Sequence, residues 1–577
     1  MKRLAKIYRK LVLVAVLFMA TLSSSCTDFL TIIPPDQVVH EDFWHTKDEV
    51  NGMLATAYVH MIGSDAMGKA IVWGELRSDN MLHQTENNEY QKIVEANITE
   101  ENSFCKWSAY YKAINNANLV IEYAPLVIDR DPDFSEGDLK VVTGEMLALR
   151  ALCHFYLVRA FRDIPLALVP AANDAELPDY AQVHPLEALN KIMEDLDRAE
   201  GMVMPSGGFR DASQNLGRIT KNAVLAIKAD VNLWRAAFAT YYSGKSDLVK
   251  DGDIQNYYDQ CIQDCRDIIK SMDLLLEKKW SQNNSYPDKK RPYNLLWNEE
   301  DVEDITKSKR STIYDDIFGV QNSEESIFEL QVTYNNVSKG GTALGNMYGY
   351  GNDPGALVAP QGFQNTYEKD DLRRYCYTNE SASASNDGDD KNKASKVTIL
   401  KYILKSSPAS SRNFRQSNNF DSNWIVYRKA DVLLMMAEAL AARASSTTAD
   451  FEEAFDIVNA INLRSRIDEE KPAKALKKDD YLSSSSALGL VLDERKRELA
   501  FEGKRWFDLV RKALREKNTN GILFVADKLS KNASAVKIKM SSIDGLFMPI
   551  HVDEIRFNKL LKQNPAYKKE DSSINMN

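Results

Sequence analysis

Residues 494–509 read Glu494-Arg495-Lys496-Arg497-Glu498-Leu499-Ala500-Phe501-Glu502-Gly503-Lys504-Arg505-Trp506-Phe507-Asp508-Leu509. Charged side chains are set here among Leu499, Phe501, Trp506 and Leu509. The same mixture occurs between Tyr427 and Ala439, where Arg428, Asp431 and Glu438 interrupt an otherwise apolar helical run. Charges carried into apolar helices are tolerated when they are paired and hydrogen-bonded. Arg428, Asp431, Glu438, Glu494, Arg495, Glu498, Glu502 and Arg505 are therefore expected to lock helices and loops together, not to form an active site.

Outward from this stretch, most of the chain carries helical periodicity. Residues 46–62 open with Thr46 and Glu49, the spacing of a capping box. Residues 105–123 place Trp107, Tyr111, Ile114 and Asn118 at near-helical intervals. In 138–162, Met146, Leu149, Cys153, Tyr156, Leu157 and Ala160 fall on one stripe. Residues 219–241 and 424–443 follow the same rule. Consecutive segments pair off: 138–162 with 185–201, 219–241 with 255–272, and 424–443 with 450–466. Small residues such as Ala148, Ala226 and Ala437 allow close approach, so stacked helix pairs of the tetratricopeptide kind are expected.

The middle of the chain differs. Between Trp280 and Tyr377 lie eleven of the 33 Trp and Tyr residues, twice the density of the whole chain. Helical periodicity gives way to short runs such as Ser326–Val332 that suit strands. Residues 381–396 are low-complexity, and Asp387, Asp389 and Asp390 there lack the spacing of a calcium loop, so a solvated loop is expected.

With 577 residues, 44% hydrophobic and 27% charged, the chain is long enough to bury a large core without disulfide or metal staples. The first ten residues hold Lys2, Arg3, Lys6, Arg9 and Lys10; an apolar run from Leu11 to Leu22 follows, then Ser23-Ser24-Ser25-Cys26. That pattern is a secretory signal peptide over 1–25. Cys26 stands where a lipoprotein would be cleaved and acylated, although Ser23 occupies the position usually held by Leu. Without residues 1–25 the chain would carry a net charge of −15, which excludes a general attraction to nucleic acid.

Chemistry-bearing motifs are sparse. There is no nucleophile elbow, phosphate loop or dinucleotide fingerprint, and the seven histidines form no metal-binding pair. Cys261 and Cys265 share a helix face without the partners a metal site needs. No cofactor or metal is expected. A carboxylate pair of the glycosidase kind remains possible in principle, but no local pattern proposes one. Aromatic rings offer a stacking face to a sugar, and the glycines around Tyr348 and Tyr350 would let such rings project from loops.

In several ordered motifs the chain resembles the SusD/RagB family of nutrient-binding outer-membrane lipoproteins of Bacteroidota. They include Cys26-Thr27-Asp28-Phe29-Leu30, Trp107 to Asn118, Glu145 to Leu157, Ile164-Pro165-Leu166, Ile219-Thr220-Lys221, Tyr427 to Ala439, Glu494 to Leu509, and Gln563-Asn564-Pro565 with Tyr567. The resemblance implies a mainly α fold in which tetratricopeptide-like pairs form a scaffold over 40–275 and 420–515. An irregular, loop-rich lobe with short strands would span about 276–420, and residues 516–577 would pack back. It implies a surface-exposed, non-catalytic protein, anchored to the outer membrane through Cys26. Such a protein captures an oligo- or polysaccharide and passes it to a TonB-dependent, SusC-like transporter. A peptide ligand is the alternative within the family, and a glycoside hydrolase is the alternative outside it. Family binding sites lie on loops that differ between members, so no ligand residue transfers. The positions expected from aromatic content are Trp73, Arg77 and His83 in an early loop, with Trp280, Tyr286, Tyr293, Trp297, Tyr348 and Tyr350 in the lobe.

Overall fold

The computed structural model describes residues 43–84, 88–171, 179–287, 289–298, 302–308, 311–332, 340–350, 353–380, 397–405, 413–417, 420–529 and 531–568. The segment read as a signal peptide, Cys26 and the 381–396 loop lie outside these.

Ten helices of twelve or more residues are present among the described residues: α1 (Lys47–Ile62), α2 (Ser108–Tyr123), α3 (Glu136–Phe161), α4 (Pro185–Glu200), α5 (Lys221–Tyr242), α6 (Asp253–Asn283), α7 (Lys429–Ala442), α8 (Thr448–Arg464), α9 (Ser484–Glu498) and α10 (Arg505–Glu516). Thr46 and Glu49 form the expected capping box on α1. Ser135 with Asp138 and Thr447 with Asp450 do the same for α3 and α8, each satisfying amides that a helix start leaves bare. α3 is buried without a break from Gly144 to Phe161, so it forms the central rod of the scaffold. α3 packs on α2 and α4, α5 on α6, and α7 on α8. The helix pairs expected from the sequence are thus neighbours in space.

Two boundaries depart from the sequence reading. Residues 424–428, expected to open a helix, are a buried strand, β2 (Trp424–Arg428), paired antiparallel with β1 (Ser326–Leu330). Aromatic and β-branched residues suit a two-sided buried ribbon better than a first helical turn. α6 also runs eleven residues past its expected end, to Asn283. Trp280 therefore stands on a helix, not on a loop.

The charges of the opening stretch are all paired, and most are fully buried. The Glu498 carboxylate accepts from Arg464 at 2.7 Å, Arg428 at 2.8 Å and Arg373 at 3.0 Å. Glu502 takes Lys401 at 2.6 Å and Arg428 at 2.8 Å, while Arg373 also reaches Glu494 and Asp371. Arg464 pairs in addition with Glu325. Alongside, Arg495 bridges Asp431 and Asp508, Arg511 holds Glu438, and Arg505 reaches Asp79. Burial alone would raise the Glu498 carboxyl, but Arg464, Arg428 and Arg373 outweigh it and hold it well below the usual range.

A second fastening joins residues 72–76 to the loop after α9. The Glu75 carboxylate accepts from the amides of Phe501 (2.9 Å), Lys504 (3.1 Å) and Arg505 (3.3 Å). To present those amides, the backbone turns left-handed at Phe501 (φ 68°) and Gly503 (φ 69°). Gly503 lies so close to Gly74 that a side chain on Gly74 would overlap it.

Candidate functional site: an aromatic cleft beside the end of α6

The nine positions expected to bind ligand divide sharply. Trp73 is core: its Nε1 donates to Phe104 O at 2.8 Å, and its ring stacks on Tyr110 and meets Phe161 edge-on. Arg77 is buried as well, donating to the carbonyls of Gly545 and Leu546 with its guanidinium over the Trp506 ring. It pins the C-terminal segment. Tyr348 is fully buried, donating to Phe501 O and stacked on Tyr402. These three expectations are corrected, because each side chain is buried inside the fold and packed against its own core neighbours. His83 lies in a short strand paired with Leu357–Val358. Tyr350 is half-buried, its hydroxyl donating to Asn346 and its ring edge-on to Phe420. Tyr293 lines a separate groove with Ile269 and Met436, where burial, with Glu453 and Asp456 nearby, pushes its hydroxyl up to about 12.

Trp280 and Trp297 are brought together. Both are half-buried and line one cleft of about 690 Å³, with Arg291, Leu296, Gln321 and Glu324 among its walls. Tyr286, 61% exposed, lies with its ring centroid 6.4 Å from that of Trp280.

The local sequence explains how these walls are built. α6 stops at Asn284, which takes the left-handed conformation (φ 49°) that ends helices cleanly. Tyr293 and Asn294 (φ 55° and 46°) turn the chain again before Trp297, and Gln321 and Asn322 (φ 69° and 50°) turn it at the opposite wall. Of the eleven non-glycine left-handed residues among those described, Asn294, Gln321 and Asn322 line this cleft, and Asn284 and Tyr293 lie close to its lining residues in sequence. Asn tolerates the region, but Tyr293 and Gln321 store about 1–2 kcal/mol each. Hydrogen bonds hold the strained wall in place. Gln321 accepts from the Asn423 amide and donates to Asp421 O, and the Asn322 amide donates to Glu329.

Electrostatically the cleft is neutralised. Its lining cations are Lys279 and Arg291. Lys279 is 2.5 Å from Glu324, and Arg291 is 3.0 Å from Glu469 with its guanidinium 4.7 Å over the Trp297 ring. Burial, with Asp315 and Glu324 beside it, raises the Asp316 carboxyl above its ordinary value. Aromatic faces, side-chain amides and paired charges suit a neutral, hydroxyl-rich ligand more than an anion. Arg291, Gln321 and Asn322 were not legible as site residues. The turn-forming Asn284, Asn294 and Asn322 were the available signal.

Comparison with known proteins gives this geometry its setting. The model of the SusD family matches residues 348–567, and a second model, described as starch-binding associating with outer membrane, matches residues 28–233. The chain belongs to the SusD family. Among relatives, SusD-like proteins P38 and P25 of Formosa agariphila are 24% and 22% identical, covering 85% and 84% of this chain and 88% and 87% of their own lengths. Among solved structures, a SusD homolog from Bacteroides thetaiotaomicron superposes with a TM-score of 0.66 at 19% identity, over 91% of this chain and 98% of that one. A putative sugar binding protein from Bacteroides vulgatus gives 0.60 at 20% identity, over 90% and 98%. The mainly helical fold is thus that of the SusD superfamily.

Proposed function

We propose that this SusD-family chain is a non-catalytic, surface-exposed lipoprotein of the outer membrane. It captures an oligo- or polysaccharide in the Trp280–Trp297 cleft and delivers it to a partner TonB-dependent transporter. The observation that carries the reading is the convergence of two half-buried tryptophans on one cleft whose cations are both already paired.

Trp280→Ala and Trp297→Ala are each expected to weaken glycan binding about fivefold to a hundredfold, the worth of roughly 1–3 kcal/mol of stacking. Isothermal titration with a panel of neutral glycans reads this, and both variants should melt like the parent. Affinity should barely change between low and moderate salt. Strong salt dependence would point to an anionic glycan or a peptide. If both variants bind like the parent, the cleft is not the site.

Anchoring rests on Cys26, which follows a basic and then an apolar run. Cys26→Ala should leave the precursor uncleaved and move the protein out of the detergent phase on partitioning, because several acyl chains are what hold such a protein on a bilayer. A variant that still fractionates like the parent would overturn the lipid anchor.

One observation keeps hydrolysis in view: Asp316 and Glu324 line the same cleft. Glu324 is engaged by Lys279, and we expect no new reducing ends when the protein is incubated with its glycan. Release of reducing ends that Asp316→Asn abolishes would make the protein a hydrolase.

A further inference from the structure

A second concave site lies far along α6 from the aromatic cleft. α5 forms its floor, with α4 and α6 as walls, enclosing about 450 Å³. Lys228, Asn232 and Arg235 lie three and four residues apart on α5 and so share one face. Asn190, Glu194 and Asp197 do the same on α4, and Gln260, Gln263 and Asp264 close the side on α6. Met193 apart, the lining is polar, where a groove between packed helices is ordinarily apolar.

The two cations of the groove are already committed. Lys228 is 2.8 Å from both Asp197 and Glu200. Arg235 donates to Asn190 at 3.1 Å and Asn232 at 3.0 Å and lies 4.0 Å over the Tyr257 ring. What remains is unmatched: Asp264 Oδ2 and Asn232 Nδ2 are buried without a hydrogen-bond partner, in residues that are 9% and 0% exposed. Leaving such atoms unpaired opposes folding, and a ligand that satisfied them would remove that cost. Around the Asp264 carboxyl stand Lys228 from α5, Asp197 and Glu200 from α4, and Asp267 on its own helix. Three carboxylates face one ammonium. Burial, reinforced by those acids, pushes Asp264 up to about 7.

We propose that this groove binds an organic cation, a guanidinium or ammonium group with an oxygen acceptor beside it, using Asp264 as counter-ion and Asn232 as donor to that oxygen. An anion is disfavoured by the surplus of carboxylates. A metal ion is disfavoured because no group of three metal-ligating side chains occurs among the described residues. The same chemistry has two sources, a small free amine or a basic residue on a partner's segment.

Two probes separate them: N-acetyl-argininamide for the free molecule, and the capped pentapeptide Gly-Gly-Arg-Gly-Gly for the segment. Each is titrated calorimetrically into the full chain in two buffers of different ionisation enthalpy. Binding should be saturable at one site and should release up to one proton per complex near neutral pH, because the cation holds Asp264 ionised. Asp264→Asn should fold and melt at or above the parent's temperature, since it removes an ionisation that the fold disfavours, yet lose at least tenfold in affinity. Trp297→Ala should bind the probes like the parent, so this site stands or falls apart from the aromatic cleft. Equal affinity for both probes assigns the groove to small amines, and a clear preference for the pentapeptide assigns it to a partner's segment. No saturable heat from either probe, or unchanged binding by Asp264→Asn, would overturn the proposal.

Discussion

Glu498→Ala is expected to cost about 5 kcal/mol or more and to leave little soluble protein, because it deprives three buried guanidinium groups of a shared counter-charge at once. Removing one partner of a buried ion pair costs about 3–5 kcal/mol. Here Arg373, Arg428 and Arg464 all donate to the lost carboxylate, with the side chains of all four residues fully buried. A loss of that size approaches the whole stability of an ordinary fold, about 5–15 kcal/mol. Glu498→Gln keeps the shape and removes the charge. It should fold with a urea midpoint clearly below the parent's, which makes it the measurable member of the pair. A Glu498→Ala protein as stable as the parent would show that the arginines find other partners.

The same carboxylates set the acid limit. Glu494, Glu498, Glu502 and Glu438 are all held below their ordinary values, and Asp431 is held down to about 2; in each case neighbouring cations outweigh the opposing effect of burial. A depressed folded-state value means that the contribution is complete above the unfolded value near 4 and is lost as pH falls below it. Equilibrium unfolding followed by circular dichroism should show stability falling steeply below about pH 4, less steeply in Glu498→Gln.

Gly74→Ala is the second severe substitution. Its new Cβ would lie inside the Gly503 carbonyl, 1.8 Å from the oxygen, so the two segments must part. Overpacking alone costs about 1–3 kcal/mol. Parting them also strips Glu75 of three amide donors, which are then buried unpaired at about 1–3 kcal/mol each. A total near 5 kcal/mol is expected. Gly503→Ala should be milder, at about 1–2 kcal/mol, because its left-handed backbone is strained by a side chain but its nearest neighbours stand 3.0 Å away. Gly489→Ala, inside α9 with nothing within 4 Å, should instead stabilise by about 0.5–1 kcal/mol. Melting temperatures in that order would confirm the clamp; equal values for the three would dissolve it.

The helical scaffold was legible because its signals are local. Thr46 with Glu49 caps α1, and the Met146–Ala160 stripe marks α3, whatever the rest of the chain does. The pairing of Glu498 and Arg505 was legible as a need, since charges among apolar residues require partners, although the partners themselves were not. Trp424–Arg428 was misread because its strand partner lies about a hundred residues earlier. Trp73 and Tyr348 were misread for a related reason: aromatic density reports rings, and only long-range packing decides which rings meet water. Trp280 and Trp297 could be nominated, but not the turns at Asn284, Tyr293 and Gln321 that make them face one space. Asp264 gave no signal, because a carboxylate on a helix face is ordinary until its neighbours leave it unmatched.

The order in which the chain is made gives the buried charge network a further meaning. Arg373, Arg428 and Arg464 precede Glu498 and Glu502 in sequence, so these three arginines are made before the carboxylate of Glu498 that all three share. A chain that lacks residues 494–505 cannot bury these guanidinium groups with their full set of partners, and the contacts of Glu498 reach back 34 residues to Arg464, 70 to Arg428 and 125 to Arg373. Such long-range closure is slow. This charge network therefore cannot close until nearly nine-tenths of the polypeptide has been made.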